Sequence, residues 1–382
     1  MRAVLLTALL ACAAAAAFAV QIRHEMADFE VYRTAGARAA AVEPLYRASD
    51  GHYQFKYFPA VAFLFVPLAA LPATAAKAVW FALSVALLAS FLALSLGALP
   101  GRVMPSALLV TATILTLGKF YAHELTLGQA NLLFGVSAVA ALARLQRSRD
   151  SPAGMLFGAS ALIKPYGLVF LPYLVVTRRF RAAGAAAGVV AVGAVAPALV
   201  YGVGGNLDLL AAWGRAVVES TPANLTNQDN VSIAAMYAKW LGPGPTAGGL
   251  AMATSLGLVA LCGAVVAMRP AGHRTTESAL GARPEYLEVA LLLTAVALLS
   301  PQGWDYVLLL STPAVMLLVN ALPALPRVLQ VATAACLAAT GLTIYDVMGR
   351  EAYGRFMALS ALTVVYGVLI GVVVYMRARH VR

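Results

Sequence analysis

The chain has 382 residues, of which 62% are hydrophobic and 11% are charged, whereas soluble domains have about 45 to 50% apolar and 25% charged residues. This composition excludes a soluble globular enzyme. The net charge of +11 does not indicate a nucleic-acid partner, because the basic residues form short clusters between apolar stretches, as they do in the cytoplasmic loops of membrane proteins. No glycine-rich phosphate loop opens a helix in the sequence, which argues against nucleotide chemistry.

The N-terminal 22 residues start with a basic residue, Arg2, and continue as an apolar run. A run of about 20 residues crosses a bilayer, whereas the apolar core of a signal peptide has about 7 to 15 residues. We therefore favour a retained first helix. Cleavage as a signal peptide is the alternative, because the run is rich in alanine.

Eleven further apolar segments follow, at about residues 74–97, 105–122, 129–145, 153–164, 165–177, 183–202, 246–268, 286–299, 304–320, 327–345 and 356–376. With the first helix they predict an all-α polytopic membrane protein that has about 12 transmembrane helices in a single domain over residues 1–382. The two segments beside Lys164 and Pro165 are interpreted as half-length helices broken at the proline. Such a break is tolerated at membrane depth only where it lines a cavity or packs on protein.

Residues 57–72 are apolar but hold three prolines, and as a helix they would reach only about 24 Å, short of the roughly 30 Å hydrocarbon core. If they lie on the outer surface, the inner loops carry 15 arginines against three acidic residues, as the positive-inside rule requires. We therefore expect cytoplasmic termini and outer loops at 23–73, with juxtamembrane helices, and at 119–128, 203–245, 300–305 and 346–355. The Ala- and Arg-rich composition favours a bacterial cytoplasmic membrane, with the active site facing the periplasm or exterior.

One acidic residue in the first outer loop has the position of a catalytic base. Asp28 lies about one turn beyond the end of the first apolar segment, where the pKa of a carboxyl group can be tuned for general-base catalysis. From residue type and place alone, an equal alternative is a solvated acid or a cap for a helix at about residues 29–41.

Six short motifs occur in order over roughly residues 25–310: Asp28-x3-Tyr32, Pro44-Leu-Tyr46, Phe55-Lys-Tyr-Phe-Pro59 with Pro67, Gly128-Gln129-x-Asn131, Lys164-Pro165 and Ser300-Pro301-x2-Trp304. This succession resembles glycosyltransferase family 87, whose members are polyprenyl-phosphate-sugar-dependent enzymes of the GT-C superfamily. The resemblance implies a GT-C-type fold. The chain departs from the family pattern at Asp305, where the family often carries a histidine.

The resemblance also implies a reaction. A sugar, often mannose, passes with inversion from a polyprenyl-phosphate donor to a lipid or glycan acceptor at the outer leaflet, and Asp28 matches the family's base. A carboxylate can take the proton that the acceptor hydroxyl loses as it attacks the anomeric carbon. The leaving phosphate needs cationic stabilisation but no nucleotide, so we expect no cofactor and no metal.

The candidate cations for the donor phosphate are Lys56 and Lys164, with Arg33 behind them. Lys164 stands between two half-length helices, and an ionisable residue at membrane depth is by default a functional hypothesis. The alternative is that its side chain extends to the membrane interface.

Polar and aromatic side chains of the outer loops are the candidates for substrate binding. Glu124 could orient the acceptor or Asp28. The full set is Tyr32, Tyr57, Glu124, Gln129, Asn131, Asn227, Gln228, Trp304 and Asp305. Amides and carboxylates supply donors and acceptors for sugar hydroxyls, although helix capping or simple solvation explains several of these residues equally well.

A membrane transporter or lipid flippase is the alternative function, because broken helices and an intramembrane lysine also mark translocation pathways. Transporters place their binding groups near the membrane midplane within internal repeats. This sequence shows no two-fold repeat, and its polar groups concentrate on one predicted side. We therefore favour the enzyme, whose partners would be the donor, the acceptor and membrane lipids.

Overall fold

The computed structural model describes residues 13–99, 101–219, 224–268 and 283–379. The described chain is built from helices, and an isolated antiparallel bridge pairs Asn230 with Trp304. The predicted all-α class is therefore confirmed.

The α-helices, in chain order, are α1 (13–20 in its described part), α2 (Ala27–Ala40), α3 (Pro59–Leu64), α4 (Val66–Ala69), α5 (Ala73–Ala98), α6 (Ser106–Leu127), α7 (Asn131–Leu145), α8 (Asp150–Ile163), α9 (Phe170–Val176), α10 (Phe180–Val195), α11 (Ala198–Glu219), α12 (Ile233–Leu241), α13 (Pro245–Ala267), α14 (Pro284–Leu299), α15 (Thr312–Ala321), α16 (Arg327–Leu342), α17 (Tyr345–Met348), α18 (Arg350–Ala358) and α19 (Ala361–Arg379). Short 3-10 helices lie at Ile22–His24, Ala48–Tyr53, Pro165–Val169, Asp305–Ser311 and Leu322–Ala324.

The core of the molecule is formed by α14, the 3-10 helix Asp305–Ser311 and α15. These segments are largely apolar, and helices of that kind lie either in the interior of a protein or in a membrane. Accordingly, every residue from Tyr286 to Leu298 is buried, and so is every residue of α15. α14 packs against α7 and α19, and α15 packs against α5 and α6.

Small residues allow α8 and α10 to approach closely. A Cβ at Gly158 would lie 2.6 Å from the carbonyl oxygen of Ala186, and a Cβ at Gly154 would clash with the carbonyl of Ala182. The two glycines face the two alanines at a spacing of four residues on each helix. This small-residue contact is typical of helix packing in membranes, where close backbone approach replaces the hydrophobic effect.

Four helical segments are long and apolar enough to cross a membrane: Ala73–Ala98, Pro245–Ala267, Asp305–Ala324 and Ala361–Arg379. A fifth is possible if α10 and α11, which meet at an angle of 88°, count as one broken span. These helices mark the chain as a membrane protein.

The prediction of about 12 spans is not confirmed. α7, α16 and the segment Pro165–Val176 are apolar but shorter than a full span. The first predicted helix falls partly on residues 1–12, which lie outside the described residues.

The predicted outer segments are more helical than expected. Residues 57–72, for which a helix was expected, contain the two short helices α3 and α4. The expected loop at 203–245 instead contains most of α11 and all of α12, and the expected loop at 119–128 is the last part of α6. The reason is that polar residues such as Lys119 and Glu124 continue a helix that hydropathy alone would end.

Candidate active site

One cavity, of 890 Å³, is lined by most of the predicted site residues, and we call it the principal cavity; its lining has a polar end and an apolar end. The polar end is lined by Asp28, Tyr32, His52, Lys56, Tyr57, His123, Gln129, Lys164, Tyr166, Asp229, Gln302, Trp304, Asp305 and Tyr306. The apolar end is lined by α9, α13 and α14, through Pro172, Tyr173, Val176, Val259, Cys262, Val266, Leu292, Val296 and Leu299. One cavity therefore offers both charged groups and a channel between helices.

Two left-handed backbone positions, at Met26 and Gly128, place Asp28 in the cavity wall. Met26 precedes α2 in the left-handed conformation (φ 60°, ψ 43°), and its N–H donates to the carbonyl of Thr126 at 2.9 Å. Gly128 ends α6 at φ 68°, where a Cβ would lie 2.8 Å from the Cβ of Phe29. Only glycine fits that turn without strain, so the start of α2 rests directly on the end of α6.

Gln129 is the centre of the hydrogen-bond network around Asp28. Its amide nitrogen donates to Oδ2 of Asp28 at 2.7 Å and to the hydroxyl of Tyr306 at 3.1 Å. Its amide oxygen accepts from the hydroxyls of Tyr32 at 3.0 Å and Tyr57 at 3.2 Å, and from Nζ of Lys164 at 3.3 Å. A carboxylate only accepts and an ammonium only donates, so these two neighbours fix which way the amide points.

The two candidate lysines line the polar end from different elements. Lys164 has an extended backbone (φ −137°, ψ 125°), as expected for a residue before proline, and its Nζ lies 4.5 Å from the ring centre of Tyr57. Nζ of Lys56 donates to Oε1 of Gln302 at 3.3 Å. The break at Pro165 therefore turns a charged side chain into the cavity.

Burial sets the protonation behaviour of Asp28 and Lys56. Burial raises the pKa of Asp28, and the hydrogen bond from Gln129 and the charge of Lys164 lower it by less than burial raises it. Burial likewise lowers the pKa of Lys56, against an opposing effect of the Asp28 charge. A carboxylate with a raised pKa is a better proton acceptor at neutral pH.

Glu124 and Asn131 lie one layer behind the cavity wall. The carboxylate of Glu124 is fully buried and accepts from Nδ2 of Asn131 at 2.8 Å and from the N–H of Leu132 at 3.0 Å. Asn131 in turn accepts from the hydroxyl of Tyr166, which does line the cavity. Glu124 thus caps the start of α7 and holds Tyr166 in place through Asn131, and it does not face the cavity as the sequence suggested.

A second polar cluster reaches the cavity through His123, Asp229 and Asp305, and the sequence predicted only Asp305 of its members. Nζ of Lys119 lies 2.6 Å from Oδ2 of the buried Asp305, and Nδ1 of His123 lies 3.5 Å from its Oδ1. Lys119 also donates to the hydroxyl of Tyr353, which donates to Asp229 at 3.1 Å. Lys119 and His123 are four residues apart on α6 and hence on one face, which is the signal that could have paired them.

Besides Glu124 and Asn131, three more predicted site residues do not line the cavity. Arg33 forms an ion pair with Glu30 at 2.8 Å, three residues earlier on α2. Asn227 and Gln228 are exposed, and neither lines the cavity, whereas their neighbour Asp229 does. The local ion pair explains Arg33, because residues three apart on a helix are neighbours.

An acidic side chain, two lysines and the apolar side chains of three helices thus line one cavity. The family model described as Glycosyltransferase family 87 matches residues 55–301, more than half of the chain. The chain therefore belongs to glycosyltransferase family 87 and is a glycosyltransferase. Neither a curated protein nor a solved structure matches it.

Proposed function

We propose that the protein transfers a sugar, mannose by family resemblance, from a polyprenyl-phosphate donor to a lipid or glycan acceptor, with a GT-C-type fold and with inversion. The observation that carries the proposal is the form of the principal cavity: Asp28, Lys56 and Lys164 lie at one end, and the other end is an apolar channel. A nucleotide sugar has no chain to fill such a channel. A polyprenyl phosphate has both parts.

The apolar end supports binding of the prenyl chain. It is bounded by α13, a candidate membrane span of which most residues face outward from the protein. A donor in the bilayer could therefore enter beside α13 without leaving an apolar environment. Burial of each CH₂ group would contribute about 0.8 kcal/mol.

The polar end supports the transfer step. The carboxylate of Asp28 takes the proton of the acceptor hydroxyl, and the hydroxyl oxygen forms a bond to the anomeric carbon from the face opposite the phosphate. The bond between the anomeric carbon and the phosphate oxygen breaks, and the phosphate keeps the electron pair. Lys164 and Lys56 stabilise the charge of this leaving group, while Gln129 holds Asp28 in position.

We place the reaction at the outer face of a bacterial cytoplasmic membrane, with both termini in the cytoplasm. The charge distribution of the loops supports this orientation. Single cysteines at Glu351 and Arg181, both exposed, test it in a chain without other cysteines. An impermeant thiol reagent added to intact spheroplasts should label position 351 and leave position 181 unlabelled, and the reverse pattern would contradict the orientation.

Purified protein tests the donor directly. Transfer is measured in detergent with either a nucleotide sugar or a polyprenyl-phosphate sugar, and we expect product only with the latter. Asp28→Asn should abolish transfer and keep the thermal stability, because it removes the base and preserves the shape. Asp208→Asn, at an exposed position on α11, is the matched control. Turnover with the nucleotide sugar alone would refute the donor assignment.

A further inference from the structure

A second cavity, of 360 Å³, adjoins the principal cavity. Ala27, Val31 and Tyr53 line both. On α2, Ala27 directly precedes Asp28, and Val31 follows it by nearly one turn. The two cavities therefore meet beside the proposed base, and we call the second cavity the α2 groove.

The α2 groove follows one face of the helix. Its lining residues on that face are Ala27, Val31, Thr34 and Arg38, at successive spacings of four, three and four residues, which is the spacing of neighbours along one side of a helix. At 1.5 Å per residue this row is about 16 Å long. The groove thus leads away from Asp28 over a length that accommodates a short oligosaccharide.

The rim of the groove is suited to hydroxyl groups. Nη2 of Arg38 donates to Oδ1 of Asp50 at 2.8 Å, and Nη1 donates to Oδ2. Guanidinium donors, carboxylate acceptors and the hydroxyl of Thr34 offer both kinds of partner to a sugar. Tyr53 is 56% exposed, and a tyrosine ring has an apolar face, on which a sugar ring can pack, and a polar tip.

The charge of the rim argues for a neutral ligand. Both carboxylates of the lining are paired with guanidinium groups, Asp50 with Arg38 and Glu30 with Arg33. The charge of Arg38 is therefore already compensated by Asp50, so a phosphate or other anionic group is a poor occupant. The principal cavity, by contrast, places lysines where the donor phosphate is proposed to bind.

We propose that the α2 groove binds the acceptor as a neutral glycan chain, holding the sugar units that lie beyond the one whose hydroxyl reacts at Asp28. This inference rests on the proposed transferase function. The enzyme then elongates an oligosaccharide, and the groove determines how long an acceptor it prefers.

The test fills the groove and compares two acceptors. Thr34 is exposed, so Thr34→Trp should fold normally and block the groove. The acceptors are methyl mannoside and a linear mannotrioside, with the polyprenyl-phosphate donor held constant. We expect the wild type to prefer the trisaccharide, and Thr34→Trp to lower kcat/KM for the trisaccharide by about 10-fold or more, the effect of losing one or two hydrogen bonds to charged groups, with no change for the monosaccharide.

Ala37→Trp is the matched control, because Ala37 is exposed on the same helix and lines neither cavity. Titration calorimetry of the mannotrioside without donor separates this inference from the proposed function. Binding to the wild type that Thr34→Trp weakens supports the groove even if no donor is turned over. The absence of binding to the wild type, or an equal loss for both acceptors, would overturn the inference.

Discussion

Gln129→Leu tests whether the hydrogen bond to Asp28 prepares the base. The substitution keeps the approximate size of the side chain and removes the amide nitrogen, which donates to Oδ2 of Asp28 at 2.7 Å. A hydrogen bond to a charged group contributes about 1.5 to 3 kcal/mol, or roughly 10- to 150-fold in rate. Because this bond favours the ionised form, its loss raises the pKa of Asp28, which burial already raises.

The sign of the effect follows from the role of the base. Asp28 accepts a proton only when it is ionised, so transfer falls as the pH drops through its pKa. Raising the pKa moves this acid limb to higher pH. We therefore expect kcat/KM of Gln129→Leu to fall by about 10- to 150-fold on the acid side and to recover partly on the alkaline side.

The assay measures kcat/KM for polyprenyl-phosphate-sugar transfer between about pH 5 and pH 9. Gln129→Glu places a carboxylate next to Asp28 and should move the acid limb further than Gln129→Leu does, because a like charge also disfavours ionisation. Gln146→Leu, at the other end of α7 where the amide donates to the carbonyl of Ala98, should leave the profile unchanged. An unshifted acid limb in both Gln129 variants would refute Asp28 as the base.

Three further predictions concern the leaving group, the turn and the core. Lys164→Ala should lower kcat/KM by about 10- to 150-fold. Lys164→Arg keeps the charge and should restore part of the lost activity. Equal activity of Lys164→Ala and the wild type would exclude a phosphate contact. Gly128→Ala should lower the free energy of unfolding by at least about 1 kcal/mol, because φ is 68° at this position. Gly118→Ala on α6 is the control and should not lower it, since a Cβ there meets nothing within 4 Å. Chemical unfolding in detergent compares the two variants. Arg377→Met leaves the buried Glu288 without its ion pair at 2.9 Å and should lower the free energy of unfolding by about 3 to 5 kcal/mol. The double variant with Glu288→Leu should recover stability, because no buried charge is then left unpaired. A double variant less stable than Arg377→Met would contradict this reasoning.

The sequence predicted the parts of the site that are encoded locally. The break at Lys164 follows from the proline after it, and the structure shows that break with Nζ of Lys164 turned toward Gln129. A helix was predicted at about 29–41, with Asp28 as an alternative cap before it, and the helix is Ala27–Ala40, so that Asp28 lies in its first turn. In each case the signal lies within a few residues of the feature.

Features that depend on distant contacts could not be predicted. Lys119 meets Asp305 across 186 residues of sequence, and nothing in either segment indicates the other. Glu124 was expected to face substrate, but the same carboxylate also fits the start of the next helix, and packing decides between the two. The predicted number of spans is not confirmed for a related reason, because hydropathy does not distinguish a full span from a shorter apolar helix such as α7.

The apolar end of the principal cavity has a consequence for how the enzyme is assayed. The proposed lipid-linked donor, with its chain between α9, α13 and α14, would arrive by lateral diffusion within the membrane or micelle. Its encounter rate then depends on its mole fraction among the surrounding amphiphiles and not on its amount per volume. Diluting the donor with inert lipid or detergent, at constant volume and constant amounts of enzyme and donor, should therefore slow turnover.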